Sequence, residues 1–148
     1  MLKKTITYTD YDGSERTEDF LFNMSKAEIL EMELSEQGGM KQKLERILQA
    51  QDTVTIAKYF KQIVLKAYGE KSPDGKRFIK SDELSEAFSQ TEAYSNLYIE
   101  LATNADEASK FINALFPAKA IDEIRESFEK SQNANASASP ALLPNKPE

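Results

Sequence analysis

Apolar and polar residues alternate from Lys3 to Thr9, putting Ile6 and Tyr8 on one face of an extended segment and Thr5, Thr7 and Thr9 on the other. Asp10-Tyr11-Asp12-Gly13 reads as a turn, and Glu15 to Phe22 as a second strand with Phe20 and Phe22 sharing a face. β-Branched and aromatic residues on both sides of an Asp-Gly turn predict a β-hairpin. An isolated hairpin is marginal in water, so its Ile6/Tyr8/Phe20/Phe22 face is expected to lie on helices.

From Ser25 the period changes to that of a helix. Ser25 with Glu28 forms a capping box, and the helix is expected to run to about Ser35, ending before Gly38-Gly39. Its apolar residues are Ala27, Ile29, Leu30, Met32 and Leu34, and Glu33 falls inside their arc. Glu33 therefore either snorkels from an edge or is held as a carboxylate near a partner surface. A second helix from Met40 to about Ala50 places Met40, Leu44, Ile47 and Leu48 on a narrow face. Asp52 is expected to cap a third, Thr53 to Tyr68, whose broad apolar stripe through Phe60, Ile63 and Val64 suits a central helix with several neighbours. Leu65 falls among Lys58, Lys61 and Lys66 and is a candidate exposed apolar residue.

Beyond a loop, Ser81 or Asp82 caps a helix carrying Leu84 and Phe88. Thr91 caps another, with Tyr94, Leu97, Tyr98 and Leu101 on one side and Ile99 opposite. Asp106 begins a helix on Phe111, Ile112 and Leu115, interrupted at Pro117, and a final helix from Ala118 to Lys130 rests on Ile121, Ile124 and Phe128. From Ser131 the chain turns to Ser, Ala, Asn and Pro, the composition of a flexible tail. The expected architecture is α+β and mostly α: an N-terminal β-hairpin packed on a bundle of short amphipathic helices over residues 1–130, with a disordered C-terminal tail over 131–148.

Composition narrows the function. The chain has no histidine and no cysteine, which removes the commonest general base, thiolate nucleophiles, disulfides and cysteine-ligated metals. No constellation of carboxylates, lysines or tyrosines argues for catalysis, so no enzyme and no cofactor are expected. The net charge of −6 disfavours nucleic acid and anionic membranes as partners. No apolar run is long enough to span a bilayer, and Met1-Leu2-Lys3-Lys4 leads into Thr5-Ile6-Thr7-Tyr8 rather than a signal-peptide core. The expectation is an acidic, soluble, intracellular protein that works by contact.

The loop from Ala67 to Ser81 is the most distinctive stretch, with two glycines, a proline and an Asp-Gly pair. It does not fit a calcium loop. With Gly75 at the sixth position, the first, third and fifth ligands would be Glu70, Ser72 and Asp74, while Arg77 takes the aliphatic eighth position and Ser81 replaces the twelfth-position glutamate. No phosphate-cradling glycine pattern with a following Lys-Ser/Thr is present either. The loop reads as a shaped connector whose Lys76, Arg77 and Lys80 form a basic patch suited to an acidic protein surface. Leu65, Ile99 and these three cations are the candidate partner-contact residues.

Several of these segments carry a family resemblance: Asn23-Met24-Ser25-Lys26-Ala27-Glu28, Gly38-Gly39, Ala67-Tyr68-Gly69-Glu70-Lys71-Ser72, Asp74-Gly75-Lys76-Arg77-Phe78-Ile79-Lys80-Ser81, Thr91-Glu92-Ala93-Tyr94 and Phe116-Pro117. With the opening hairpin, they resemble the tail assembly chaperones of long-tailed bacteriophages and prophages of Gram-positive hosts, over roughly residues 1–117. The resemblance implies a non-catalytic assembly factor that binds and solubilises the tape measure protein and helps recruit tail tube subunits. It implies action in the host bacterial cytoplasm, absence from the mature virion and self-association without client. It also implies a frameshift-extended form that reaches the tail tube protein. The codons of Leu143-Pro144-Asn145 could hold a slippery heptamer for that shift.

Two other classes compete. A phage-encoded regulator or inhibitor acting as an acidic mimic would need carboxylates concentrated on one face, and Lys58, Lys61, Lys66, Lys76, Arg77 and Lys80 interrupt them. A small enzyme would need a deep pocket with convergent polar groups.

Overall fold

The structure, a computed structural model, describes residues 1–49 and 53–138. The predicted hairpin forms from β1 (Leu2–Thr9) and β2 (Glu15–Phe22), paired antiparallel in the register Ile6 opposite Glu18 and Leu2 opposite Phe22. Asp10 organises the turn: its carboxylate accepts from the backbone N–H of Asp12 and Ser14, both at 2.9 Å, and pairs with Arg16. The outer face is polar, with Thr5 donating to Asp19 at 2.6 Å. The inner face carries Ile6, Tyr8, Phe20 and Phe22 toward the helices, as the alternation requires.

The hairpin is not the whole sheet. The stretch expected to be a connector contains β3 (Tyr68–Lys71) and β4 (Phe78–Ile79), which extend the sheet in the order β1-β2-β3-β4. Leu21 pairs with Gly69, and Glu70 with Ile79. Gly69 permits this, because a Cβ there would stand 2.6 Å from the carbonyl oxygen of Ile79. The β3–β4 turn is held from within. The buried Ser72 hydroxyl donates to Asp74 at 2.7 Å and accepts from the Arg77 N–H at 2.9 Å, and Asp74 accepts from the Lys76 N–H at 3.0 Å. The last of these, aided by Ser72, lowers the Asp74 pKa.

Among the described residues there are seven helices on the inner side of the sheet or packed on one another: α1 (Lys26–Ser35), α2 (Gly39–Gln49), α3 (Thr53–Ala67), α4 (Asp82–Ser89), α5 (Glu92–Thr103), α6 (Ala105–Leu115) and α7 (Ala118–Ala138). Ser25, Ser81 and Thr91 cap α1, α4 and α5. Asn104, rather than Asp106, starts α6 by accepting from the Asp106 and Glu107 N–H groups. Helix α3 is central, burying Phe60, Ile63, Val64 and Ala67. Helix and sheet meet in an aromatic cluster. Tyr68 stacks on Phe88 with ring centres 4.2 Å apart, and the edge of Phe22 meets Phe111 at 5.4 Å.

Helix α7 continues to Ala138, past Ser131 where the composition changes. Ala134, Ala136 and Ala138 are strong helix formers, so the low-complexity composition does not break the helix at once. The remainder of the expected tail, with Leu143-Pro144-Asn145, and the expected cap Asp52 lie outside the described residues.

Candidate functional site

Helix α1 has apolar side chains on two sides. Ile29 is buried in the core and Met32 packs against it, while Leu30 and Leu34, one turn apart, face away. Helix α7 lies beside α1, anchored by Ile121, which is buried, and by Ile124, which is half-buried. Between the two helices runs an open groove of about 450 Å³ whose apolar walls are Ala27, Leu30, Ala120, Ile124 and Phe128. It continues past Leu30 and Phe128 into a second hollow of about 380 Å³ that reaches Leu34 and Gly38. Leu34 is 54% exposed and Phe128 37% exposed, so among the described residues the groove offers uncovered apolar surface.

Two ion pairs fix the groove's geometry. Arg125 on α7 donates to Glu33 on α1 through Nε at 3.0 Å and Nη2 at 2.6 Å, both to the same carboxylate oxygen. The Glu33 side chain is only 9% exposed, and its hydrogen bond raises the Arg125 pKa further. Glu33 does not snorkel to water from an edge; its side chain is largely buried and paired with Arg125 of the same chain. Lys80, just beyond β4, approaches both carboxylate oxygens of Glu28 at 2.8 Å, while Glu28 also completes the capping box by accepting from the Ser25 N–H at 2.8 Å. Burial alone would raise the Glu28 pKa, but Lys80 and Ser25 outweigh it and leave it lowered. The β3–β4 hairpin is thus tied to the start of the groove's α1 wall.

The five residues expected to contact a partner do not converge. Leu65 is half-buried and packs on the core rather than standing free among the lysines, and its carbonyl accepts from the Ser85 hydroxyl at 2.8 Å. Lys80 is committed to Glu28. Lys76 and Arg77 are exposed at the β3–β4 turn. Ile99 is 58% exposed on α5, which packs on β1, α3 and α6. The groove residues Leu30, Leu34 and Phe128 escaped sequence reasoning. The available signal was the spread of apolar residues around α1, which requires a neighbour on each side or an uncovered stripe.

Among the described residues no group of three or more carboxylates is placed to hold a metal, and no helix is long and apolar enough to cross a membrane. The one buried side-chain polar atom among them without a hydrogen-bond partner is the Tyr59 hydroxyl, outside the groove. Burial, with Glu36 nearby, pushes the Tyr59 pKa up to about 12. A family model described as phage tail assembly chaperone matches residues 1–147. The chain belongs to the phage tail assembly chaperone family. No curated protein and no solved structure matches it at a significant level. That family gives the chain a role in bacteriophage tail assembly, and an open apolar groove is a kind of surface that protein-binding factors use.

Proposed function

We propose that this tail assembly chaperone holds the tape measure protein in the α1/α7 groove and keeps it soluble in the host cytoplasm while tail tube subunits are recruited. It then leaves the assembly before the virion is complete. The observation that carries this reading is the continuous apolar groove from Ala27 to Leu34 along α1. That stretch is about 12 Å long at the helical rise, enough to seat two turns of an amphipathic helix through its i and i+4 side chains. Seating two or three leucine-sized side chains there contributes about 1.5–3 kcal/mol each before ordering costs. The net charge of −6 would keep a complex with an apolar client dispersed. The exposed Lys76 and Arg77 would meet an acidic surface on a second partner, and a frameshift-extended form would add a contact to the tail tube protein.

Co-expression with the tape measure protein of the same phage tests this. The client is expected in the soluble fraction, co-purifying with the chaperone. Leu30→Asp combined with Phe128→Asp is expected to lower capture at least ~10-fold, about 1.4 kcal/mol, with unchanged circular dichroism. An insoluble client beside the wild-type chaperone, or equal capture by the folded double variant, refutes the reading.

A further inference from the structure

We propose that the outward face of α3 is a second docking surface, one that takes an acidic amphipathic helix of another protein. No residue of α3 lines the α1/α7 groove, and the inference does not depend on what the groove holds.

From Thr53 to Ala67, α3 carries Lys58, Lys61 and Lys66 and no Asp or Glu. Among the described residues each of the other six helices carries at least one acid. On a chain of net charge −6, a purely basic helix is out of keeping with its surroundings. Lys58 and Lys61 are neighbours at i, i+3 on the helix surface, so they repel each other. Lys66 lies in the last turn, where the helix dipole favours a cation, but Lys58 and Lys61 lie too far from that end to gain from it. All three lysines are exposed. None of them forms an ion pair among the described residues, although α4 packs beside α3 and brings Asp82, Glu83 and Glu86. Cations that repel one another and find no partner within the chain gain most from carboxylates supplied from outside.

The helical spacing defines the class of partner. Val54, Lys58, Lys61 and Leu65 stand at i, i+4, i+7 and i+11, on one line along α3, with Gln62 and Lys66 at its flank. Val54 is 63% exposed and Leu65 is half-buried, so the line is apolar at both ends and basic between them. It runs about 17 Å at the helical rise, three turns of helix. A partner helix with apolar, acidic, acidic and apolar side chains at the same spacing matches it position for position. A phosphate backbone would use the lysines and leave Val54 and Leu65 without a role, and two or three phosphate contacts on so acidic a chain yield little affinity. An anionic bilayer meets the same net repulsion.

The test is a titration of the isotopically labelled full chain, followed by amide chemical shifts. The probe is a synthetic capped peptide with Leu, Glu, Glu and Leu at i, i+4, i+7 and i+11 on an alanine–glutamine background. Saturable shifts are expected at Lys58, Lys61, Gln62 and Leu65, and binding is expected to weaken as salt is raised. Lys58→Glu with Lys61→Glu is expected to weaken binding at least ~10-fold. Lys119→Glu with Lys130→Glu changes the net charge equally on α7 and is expected to leave binding unchanged. Capture of client by the groove should persist in Lys58→Glu with Lys61→Glu, which separates this inference from the reading of the groove. Absence of shifts on α3 at millimolar peptide overturns the proposal. So does equal weakening by the two charge swaps, equal binding of a peptide with Lys in place of Glu, or tighter binding of a short DNA duplex to the same face.

Discussion

Gly39 is a position where a single added methyl group reaches the groove's Glu33–Arg125 ion pair. It opens α2 with φ +83°, and a Cβ there would fall against the Glu33 carboxylate and 2.7 Å from Nη2 of Arg125. Its neighbour Gly38 has φ +80°, but a Cβ there would meet only the end of the Gln42 side chain, which can swing away. Both alanine variants incur the left-handed penalty of about 1–2 kcal/mol. Gly39→Ala must in addition push apart an ion pair whose carboxylate is 9% exposed, adding about 1–2 kcal/mol for charge-assisted hydrogen bonds that are stretched but not abolished. The expected destabilisation is about 2–4 kcal/mol for Gly39→Ala against about 1–2 kcal/mol for Gly38→Ala. Urea unfolding followed by far-ultraviolet circular dichroism measures both. A double-mutant cycle with Glu33→Ala isolates the cause, since without the carboxylate the extra cost of Gly39→Ala should fall to the backbone term. Equal costs for the two glycines, or a Gly39→Ala cost unchanged in the Glu33→Ala background, would refute the account.

Lys80→Ala is expected to destabilise by about 1–2 kcal/mol at neutral pH, because it strips a partly buried carboxylate of its cation. The Glu28 pKa is lowered in the folded state, so its contribution is present above the unfolded carboxyl pKa and is lost as pH falls through the folded value. Urea midpoints across the acid range should therefore fall less steeply for Lys80→Ala than for wild type, and parallel curves would contradict this. For Tyr59 the sign is opposite. Its folded pKa is raised to about 12, so the neutral phenol contributes stability at ordinary pH that is lost as pH rises from the unfolded value toward the folded one. Ultraviolet difference titration should show one tyrosine ionising well after the others, and that late step should vanish in Tyr59→Phe. The same variant should be neutral or gain up to ~1 kcal/mol, because it deletes a buried hydroxyl without a partner among the described residues. A loss above ~1 kcal/mol would show that the hydroxyl is satisfied.

The opening hairpin was legible because the alternation from Lys3 to Thr9 and the shared face of Phe20 and Phe22 lie on either side of an Asp-Gly turn. Strands β3 and β4, with four and two residues, are too short to display a period, and Gly69 reads locally as a breaker. The pairing of β3 with β2, Leu21 opposite Gly69, is decided by tertiary fit, and no local window contains both strands; β4 then pairs with β3, where the bare Cα of Gly69 lets Ile79 approach. Three helix starts were legible through Ser25, Ser81 and Thr91, since capping is a matter of three or four adjacent residues. The groove was only half legible. Periodicity placed Glu33 among apolar neighbours, but Arg125, its partner 92 residues away, carries no local mark of that role. Lys80 was likewise read as a free cation because Glu28 already had a local part in the capping box.

The sheet order also sets a timetable for synthesis. Strand β2 leaves the ribosome early, yet the strand that pairs with its second edge is β3, and the rings that cover Phe22 belong to Phe88 on α4 and Phe111 on α6. A nascent chain that has not yet emerged to Phe111 therefore exposes the aromatic face of its hairpin to solvent. Closure of that face must come as one late event rather than by growth from the N-terminus. A stall or a premature stop before α6 would release a fragment with an open aromatic sheet, a species prone to pair with its own kind.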